Sequence, residues 1–397
     1  MTRQLARQRL VYALVLGLLA SLGPLCIDLY LPALPELAGD LNTSTATAQL
    51  SLTAGLLGLG VGQLIFGPYS DKLGRMRPLL VSLTILLVAS LWCALAPNID
   101  QLLIARLLQG LAGAGGAVIS RAIARDLYSG HELTRFFALL MLVNGLAPII
   151  APVLGGAMLQ FMDWRGIFGV LAAIAVLLFT LASLKLDESL PAERRSQGGI
   201  FAMLRSLGGL LTQRQFMGLC LTQGFVMAGM FAYIGASPFV LQQIYGLSPQ
   251  MFSLCFAING VGLIISAQIA SRLSIHFGER KVLKGGLTLA AISSLLLLLA
   301  ASLHAPLALL MVPLFFSVAV IGIVGPTASS LAMQSQGDKA GSASALIGVS
   351  MFALGACSVP LTGLGGTSSV SMALTIVGCY AVAITLFKLA VLAQQQD

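Results

Sequence analysis

Charge is what this chain has least of: 9% of its 397 residues are Asp, Glu, Lys or Arg, while 57% are hydrophobic. A soluble globular domain carries about 25% charged residues. Too few ions are available to cover a surface with water, so most of that surface must face lipid. Histidine is scarce as well. His131, His276 and His304 all fall in predicted loops, which argues against a buried histidine proton relay. The six cysteines (Cys26, Cys93, Cys220, Cys255, Cys357 and Cys379) lie inside apolar runs, and no C-x-x-C pair occurs. Neither a disulfide framework nor a zinc site is indicated, and no metal site is expected. No G-x-x-x-x-G-K-[ST] loop is present, so ATP-driven work by this chain alone is not expected. Nor is there a G-x-S-x-G elbow, and the chain is not read as an enzyme. The net charge of +8 invites a nucleic-acid reading, but the basic residues sit in short turns rather than in one patch, so no nucleic acid is expected as a partner.

What is there is a series of apolar runs of membrane-crossing length. They lie near 10–34, 46–69, 79–97, 99–120, 136–161 and 166–185, then near 215–239, 249–271, 282–302, 306–330, 342–365 and 370–392. The fold class is therefore an all-α polytopic membrane protein with twelve transmembrane helices. The longest polar stretch, with Asp187, Glu188, Glu193, Arg194, Arg195 and Arg205, divides the runs into two sets of six. The expected organisation is an N-terminal bundle over 1–185, a cytoplasmic loop over 186–213 and a C-terminal bundle over 214–397. Arg3, Arg7 and Arg9 precede a first run that is too long for a signal peptide and contains Asp28, so it is read as a retained span. Lysine and arginine cluster in alternate turns, which puts both termini in the cytoplasm. The lipid bilayer is the expected surround.

One turn is unusually dense in chemistry. Gly67-Pro-Tyr-Ser-Asp71-Lys72-Leu-Gly74-Arg75-Met-Arg77 joins the second and third runs, leaving about seven residues for the turn and making the flanking helices antiparallel neighbours. Gly74 suits a tightly turned backbone, and Asp71 is placed to reach a helix N-terminus or a basic partner. After the eighth run, His276-Phe-Gly278-Glu279-Arg280-Lys281 repeats the glycine and the basic residues without an Asp71 equivalent.

Within the spans, Asp28 is the most costly residue, because an intramembrane carboxylate must be paired, protonated or directed to a watery cavity. It lies about 27 Å along the first helix from Leu10. Arg106 lies about 10 Å deep in the fourth span, in the same half of the bilayer, and is the natural counterpart. Gln109 shares its face at i+3. Arg106 stays protonated, so its role is to tune a carboxylate rather than to release a proton. The fifth span carries Gly145, Pro148, Pro152, Gly155 and Gly156, with Ala147, Ala151 and Gly155 as a stripe of small residues for close helix approach. Similar stripes occur at Gly58/Gly62, Gly110/Gly113/Gly116 and Gly262/Ser266/Ala270. Phe225, Met227 and Tyr233 in the seventh span are candidates to line an adaptable cavity, because methionine fits many shapes, although such stripes are more often core or lipid-facing packing. Tyr30, Asn144, Asn259 and Gln268 are further polar candidates for the cavity.

The G-x-x-x-D-K-x-G-R-x-R turn resembles the loop between helices two and three of major facilitator superfamily transporters. That resemblance implies two six-helix bundles with substrate between them, and a role for Gly67, Asp71, Gly74 and Arg75 in a cytoplasmic gate. Arg106-Leu-Leu-Gln109-Gly110 resembles the family's R-x-x-x-G motif, which implies assistance to proton transfer. The fifth span resembles the antiporter motif C, which implies export. Ile27-Asp28-Leu-Tyr30-Leu-Pro32-Ala-Leu-Pro35, Ser237-Pro238-Phe239-Val240 and Ala340-Gly341-Ser-Ala-Ser344-Ala-Leu narrow the resemblance to the Bcr/CflA group of drug–proton antiporters. It implies a monomer in the bacterial inner membrane, without cofactor, coupling proton entry to export of small amphipathic compounds such as bicyclomycin, chloramphenicol-like compounds or sulfonamides. The alternative is a proton-coupled transporter of a metabolite such as a nucleoside or amino-acid derivative.

Overall fold

The computed structural model describes residues 2–195, 207–334, 336, 340–366 and 368–393. The chain is helical, with no strand among these residues. In order, the helices are α1 (Thr2–Ala20), α2 (Leu22–Asp28), α3 (Leu34–Asp40), α4 (Thr45–Leu73), α5 (Met76–Leu95), α6 (Ile99–Leu127), α7 (Gly130–Met158) and α8 (Trp164–Lys185). They continue as α9 (Arg214–Phe239), α10 (Pro249–Phe277), α11 (Glu279–Ser302), α12 (Leu307–Met333), α13 (Ala340–Leu361) and α14 (Ser369–Ala393). Ten are long and apolar enough to cross a membrane on their own. The bent α1–α3 series makes an eleventh when taken as one span, and α7 carries a shorter apolar stretch, Gly145–Met158, so the described helices approach the twelve expected.

The first span departs from the single helix expected over 10–34. It bends by 43° after Ala20, resumes at Leu22, and ends at Asp28 before a 3-10 turn over Leu31–Ala33. Pro24 explains the bend, since it has no N–H for the carbonyl of Ala20 and its ring crowds that carbonyl. Pro32 and Pro35 then keep the helix from continuing. The turn after α4 is also shorter than expected. The helix runs on to Leu73, so only Gly74 and Arg75 separate it from α5. A span needs about 20 residues, so its polar end projects beyond the membrane as further helix.

The chain forms two compact units. The first comprises 1–30 and 54–203, the second 31–53 and 204–397, so one of the three boundaries falls inside α4. In the first unit, α5 packs against α6 and α8, while α7 lies along α1 and α2. Its core gathers Leu16, Leu19, Phe66, Leu83, Ile119 and Ile123. Lipid is as apolar as leucine, so helix association rests on close packing rather than on the hydrophobic effect. A Cβ at Gly58 or Gly62 would enter the α6 backbone, and one at Gly110 would strike the carbonyl of Gly55. In the second unit α9 is central, packed on α12, α13 and α14. Ser266 of α10 donates to the carbonyl of Ala319 at 2.6 Å, bringing α10 close to α12. Large apolar side chains such as Leu295, Leu299 and Val312 are exposed, as lipid contact allows and water would not.

Candidate functional site

The end of α2 creates the first cluster. A helix leaves its last four carbonyls without intrahelical partners, and Cys26 holds one of them. Arg106, fully buried on α6, donates through Nη1 to the Cys26 carbonyl at 2.8 Å and to Gln109 Oε1. Gln109 Nε2 in turn donates to Ser90 Oγ at 2.8 Å. The guanidinium lies over the Tyr30 ring at 4.4 Å and the Phe168 ring at 5.7 Å. A cation at a helix C-terminus is favourable, and a desolvated cation on an aromatic face adds about 2 kcal/mol. Gly55 makes the room, since a Cβ there would lie 2.8 Å from Arg106 Nη2.

Asp28 closes α2 and is 4% exposed. Its Oδ1 finds no hydrogen-bond partner among the described residues. Arg106 of α6 is thus docked on the broken span end that Asp28 closes, held by a carbonyl, an amide and two rings. Directly beyond Asp28, α7 comes against the backbone: a Cβ at Gly155 would be driven into the carbonyl oxygen of Leu29. Ala147, Ala151, Pro152, Gly155 and Gly156 are all buried, while Gly145 and Pro148 are half-buried. The side chain of Asn144 lies outside the described residues. Glu36 and Asp40 are exposed on α3.

The second cluster is at the α4–α5 turn. Gly74 adopts φ +91°, a backbone conformation that favours glycine. The turn delivers Arg75 inward, and its side chain is 7% exposed. Nη1 donates to Asp71 Oδ1 at 2.5 Å and to Ser70 Oγ at 3.0 Å. Nε and Nη2 fork onto Asp126 of α6 at 2.7 and 3.3 Å. Burial works against the charge of Arg75, but the hydrogen bonds and charges of Asp126 and Asp71 outweigh it and raise its pKa. Gly67 contributes less sharply, since a Cβ there would meet Val118 at an ordinary 3.8 Å.

Residues that the sequence reading did not single out complete this clamp. Glu188, from the segment after α8, accepts from the backbone N–H of Arg75 at 2.8 Å, Leu190 at 3.0 Å and Met76 at 3.1 Å. It therefore caps the N-terminus of α5 from more than a hundred residues away. Ser189 Oγ donates to Asp126 Oδ2 at 2.9 Å. Desolvation pushes the Glu188 carboxyl up, yet the N–H groups of Arg75, Leu190 and Met76, with the charge of Arg195, bring it below its usual range. A depressed carboxylate stabilises the fold above its unfolded pKa of about 4.3 and loses that contribution as pH falls through the folded value. Glu188→Gln is therefore expected to lower the thermal midpoint at pH 7 and to shrink the difference between pH 7 and pH 3. An unchanged acid profile in that variant would count against the cap.

The third cluster is in the second unit. Asn259 Nδ2 donates to the Tyr233 hydroxyl at 2.9 Å, and Tyr233 stacks on Phe256 at 5.4 Å. Phe225 and Met227 are half-buried on α9, whereas Gln268 is exposed. Ser329 donates to Gln223 Oε1 at 2.7 Å. Gln49 is fully buried and donates to the carbonyl of Gly235 and to Thr362 Oγ1, each at 3.0 Å. Tyr30 and Gln109 thus lie in the first unit, and Phe225, Met227, Tyr233 and Asn259 in the second.

Two helical units, a buried intramembrane arginine and a glycine–aspartate–arginine turn define a transporter class. Residues 16–360 match the model of the Major Facilitator Superfamily, and the chain belongs to that family. It is a transporter-family protein and not an enzyme. The chain is 46% identical over 368 residues to "Uncharacterized MFS-type transporter YdgK" of Bacillus subtilis (strain 168), covering 92% of each. It is 30% identical over 346 residues to "Bicyclomycin resistance protein homolog" of Haemophilus influenzae, covering 87% of each. That relative supports the likeness to the Bcr/CflA drug antiporter group. A D-xylose-proton symporter structure superposes with a TM-score of 0.73 at 16% identity, covering 96% of this chain and 97% of that one. This last likeness shows the fold.

Proposed function

We propose that the chain is a proton-coupled efflux antiporter of small amphipathic compounds, of the bicyclomycin, chloramphenicol-like or sulfonamide type, working by alternating access. The observation that carries the proposal is Asp28: a buried carboxylate with an open acceptor oxygen at the end of a broken span. Such a group inside a membrane is expensive unless it is used. In this reading Asp28 takes up a proton from the outside, and its neutral form favours the inward-facing state. Substrate binding from the inside accompanies proton release. Arg106 stays charged throughout and shapes the proton affinity of Asp28 through the shared span end. Gly155, seated against Leu29, transmits the state of that break to α7. The Asp71–Arg75–Asp126 clamp holds the cytoplasmic end in one conformation, because a switch needs contacts that differ between states. The protein works as a monomer in the bacterial inner membrane with both termini cytoplasmic, and the proton gradient is its only energy source.

The test is drug accumulation in energised inverted vesicles. Uptake of bicyclomycin, chloramphenicol or a sulfonamide that collapses on dissipating the pH gradient supports the reading. Full uptake without a gradient, or no uptake of any of the three by folded protein, counts against it. In the latter case a nucleoside or amino-acid derivative becomes the substrate to screen.

A further inference from the structure

The α4–α5 and α10–α11 turns each hold a glycine at positive φ but differ in charge. Gly74 precedes Arg75 at the α4–α5 turn, and Gly278, at φ +81°, precedes Glu279 at the α10–α11 turn. In the first unit the protein supplies both signs, a guanidinium between Asp71 and Asp126. In the second unit the corresponding side chain is a carboxylate, and it faces α12. Glu279 accepts from Ser330 Oγ at 2.5 Å and from Gln334 Nε2 at 2.7 Å. Beside it opens a cavity of about 350 Å³, lined by Ser271, Ser274, Ile275, Glu279, Thr327 and Ser330 among others. None of the lining residues is basic. Arg272, His276, Arg280 and Lys281 are exposed nearby and do not line it.

Two hydroxyl protons at this cavity are already committed. Thr327 donates to the carbonyl of Ile323 at 2.6 Å, and Ser330 donates to Glu279. Both oxygens therefore present lone pairs, alongside a carboxylate that only accepts. Ser274 Oγ is buried and has no partner among the described residues. A set of acceptors around one negative charge calls for a cation with several N–H donors. The volume is several times the ~30 Å³ share of one water, so it exceeds what a bare ion needs, and Ile275 offers an apolar wall for methylenes. We propose that this cavity binds a primary ammonium group, which supplies at the second turn the positive charge that Arg75 supplies at the first. The site lies at the cytoplasmic ends of α10 and α12, where both a lipid headgroup and a soluble amine can reach it.

Native mass spectrometry of the full-length protein tests this, with phosphatidylethanolamine, phosphatidylcholine and free ethanolamine as probes. Phosphatidylethanolamine is expected to be retained in preference to phosphatidylcholine, with at least a tenfold loss in Glu279→Gln. Glutamine keeps an acceptor for Ser330, and Ser271→Leu, which fills the cavity from an exposed position, gives a second variant should the first fold poorly. Retention of the lipid that millimolar ethanolamine does not displace assigns a headgroup site. Displacement, or binding of ethanolamine itself, assigns a site for soluble amines. Equal retention of the two lipids without ethanolamine binding, or undiminished binding in both variants, overturns the proposal.

Discussion

Arg106→Ala is expected to abolish substrate transport and to destabilise the first unit by about 3–5 kcal/mol, the range for breaking a buried charged interaction. The side chain is fully buried and its loss orphans several groups together. The Cys26 carbonyl loses its donor, Gln109 Oε1 loses its charged partner, and the Tyr30 ring loses the cation above it. Each unsatisfied buried acceptor costs about 1–3 kcal/mol. Arg106→Lys separates stability from function. It keeps the charge but not the planar guanidinium that stacks on Tyr30 while its Nη1 reaches two acceptors. The lysine variant is expected to fold with a modest loss of thermal stability and to transport at least tenfold more slowly. Thermal unfolding in detergent, read beside vesicle transport, checks both. A lysine variant with full transport would show that only the charge matters.

The second large effect is expected at the Arg75 clamp, and the geometry ranks its members. Arg75→Ala and Asp126→Asn should each slow turnover on the order of tenfold while changing substrate affinity less than threefold. Asp126 is largely enclosed, with its side chain 16% exposed, and takes two bonds from Arg75 and one from Ser189. Asp71 is half exposed at 51%, and exposed ion pairs are worth about 0–1 kcal/mol. Asp71→Asn should therefore slow turnover by less than Asp126→Asn. Substrate binding by equilibrium titration and turnover by vesicle uptake distinguish the two parameters. A large loss of affinity in Arg75→Ala would place the residue in substrate binding rather than in gating.

The membrane spans were legible because lipid imposes length and apolarity on every helix, whatever its neighbours. Arg106 and Gln109 were legible together because i and i+3 share a helix face, and Gly74 because the turn leaves so little chain. What escaped was whatever depends on partners far along the chain. Asp126 and Glu188 look like ordinary polar residues of basic inter-helix segments, and nothing local says that both converge on Arg75. Gln49 likewise gives no local sign that it will reach Gly235 and Thr362. The break after Ala20 had a local signal in Pro24, but the continuous apolar run masked it. Gly155 was visible as one of a stripe of small residues, whereas its target, the carbonyl of Leu29, depended on that break.

The central claim is that Asp28 carries the coupled proton, and proton flux measures it directly. In inverted vesicles or proteoliposomes with an imposed pH gradient, adding chloramphenicol, a sulfonamide or bicyclomycin should trigger proton movement by the native chain. Asp28→Asn, nearly isosteric and unable to ionise, should eliminate that movement while still binding substrate. Substrate-triggered proton movement that persists in Asp28→Asn would contradict the account and shift the search for the coupling group to Glu36 and Asp40.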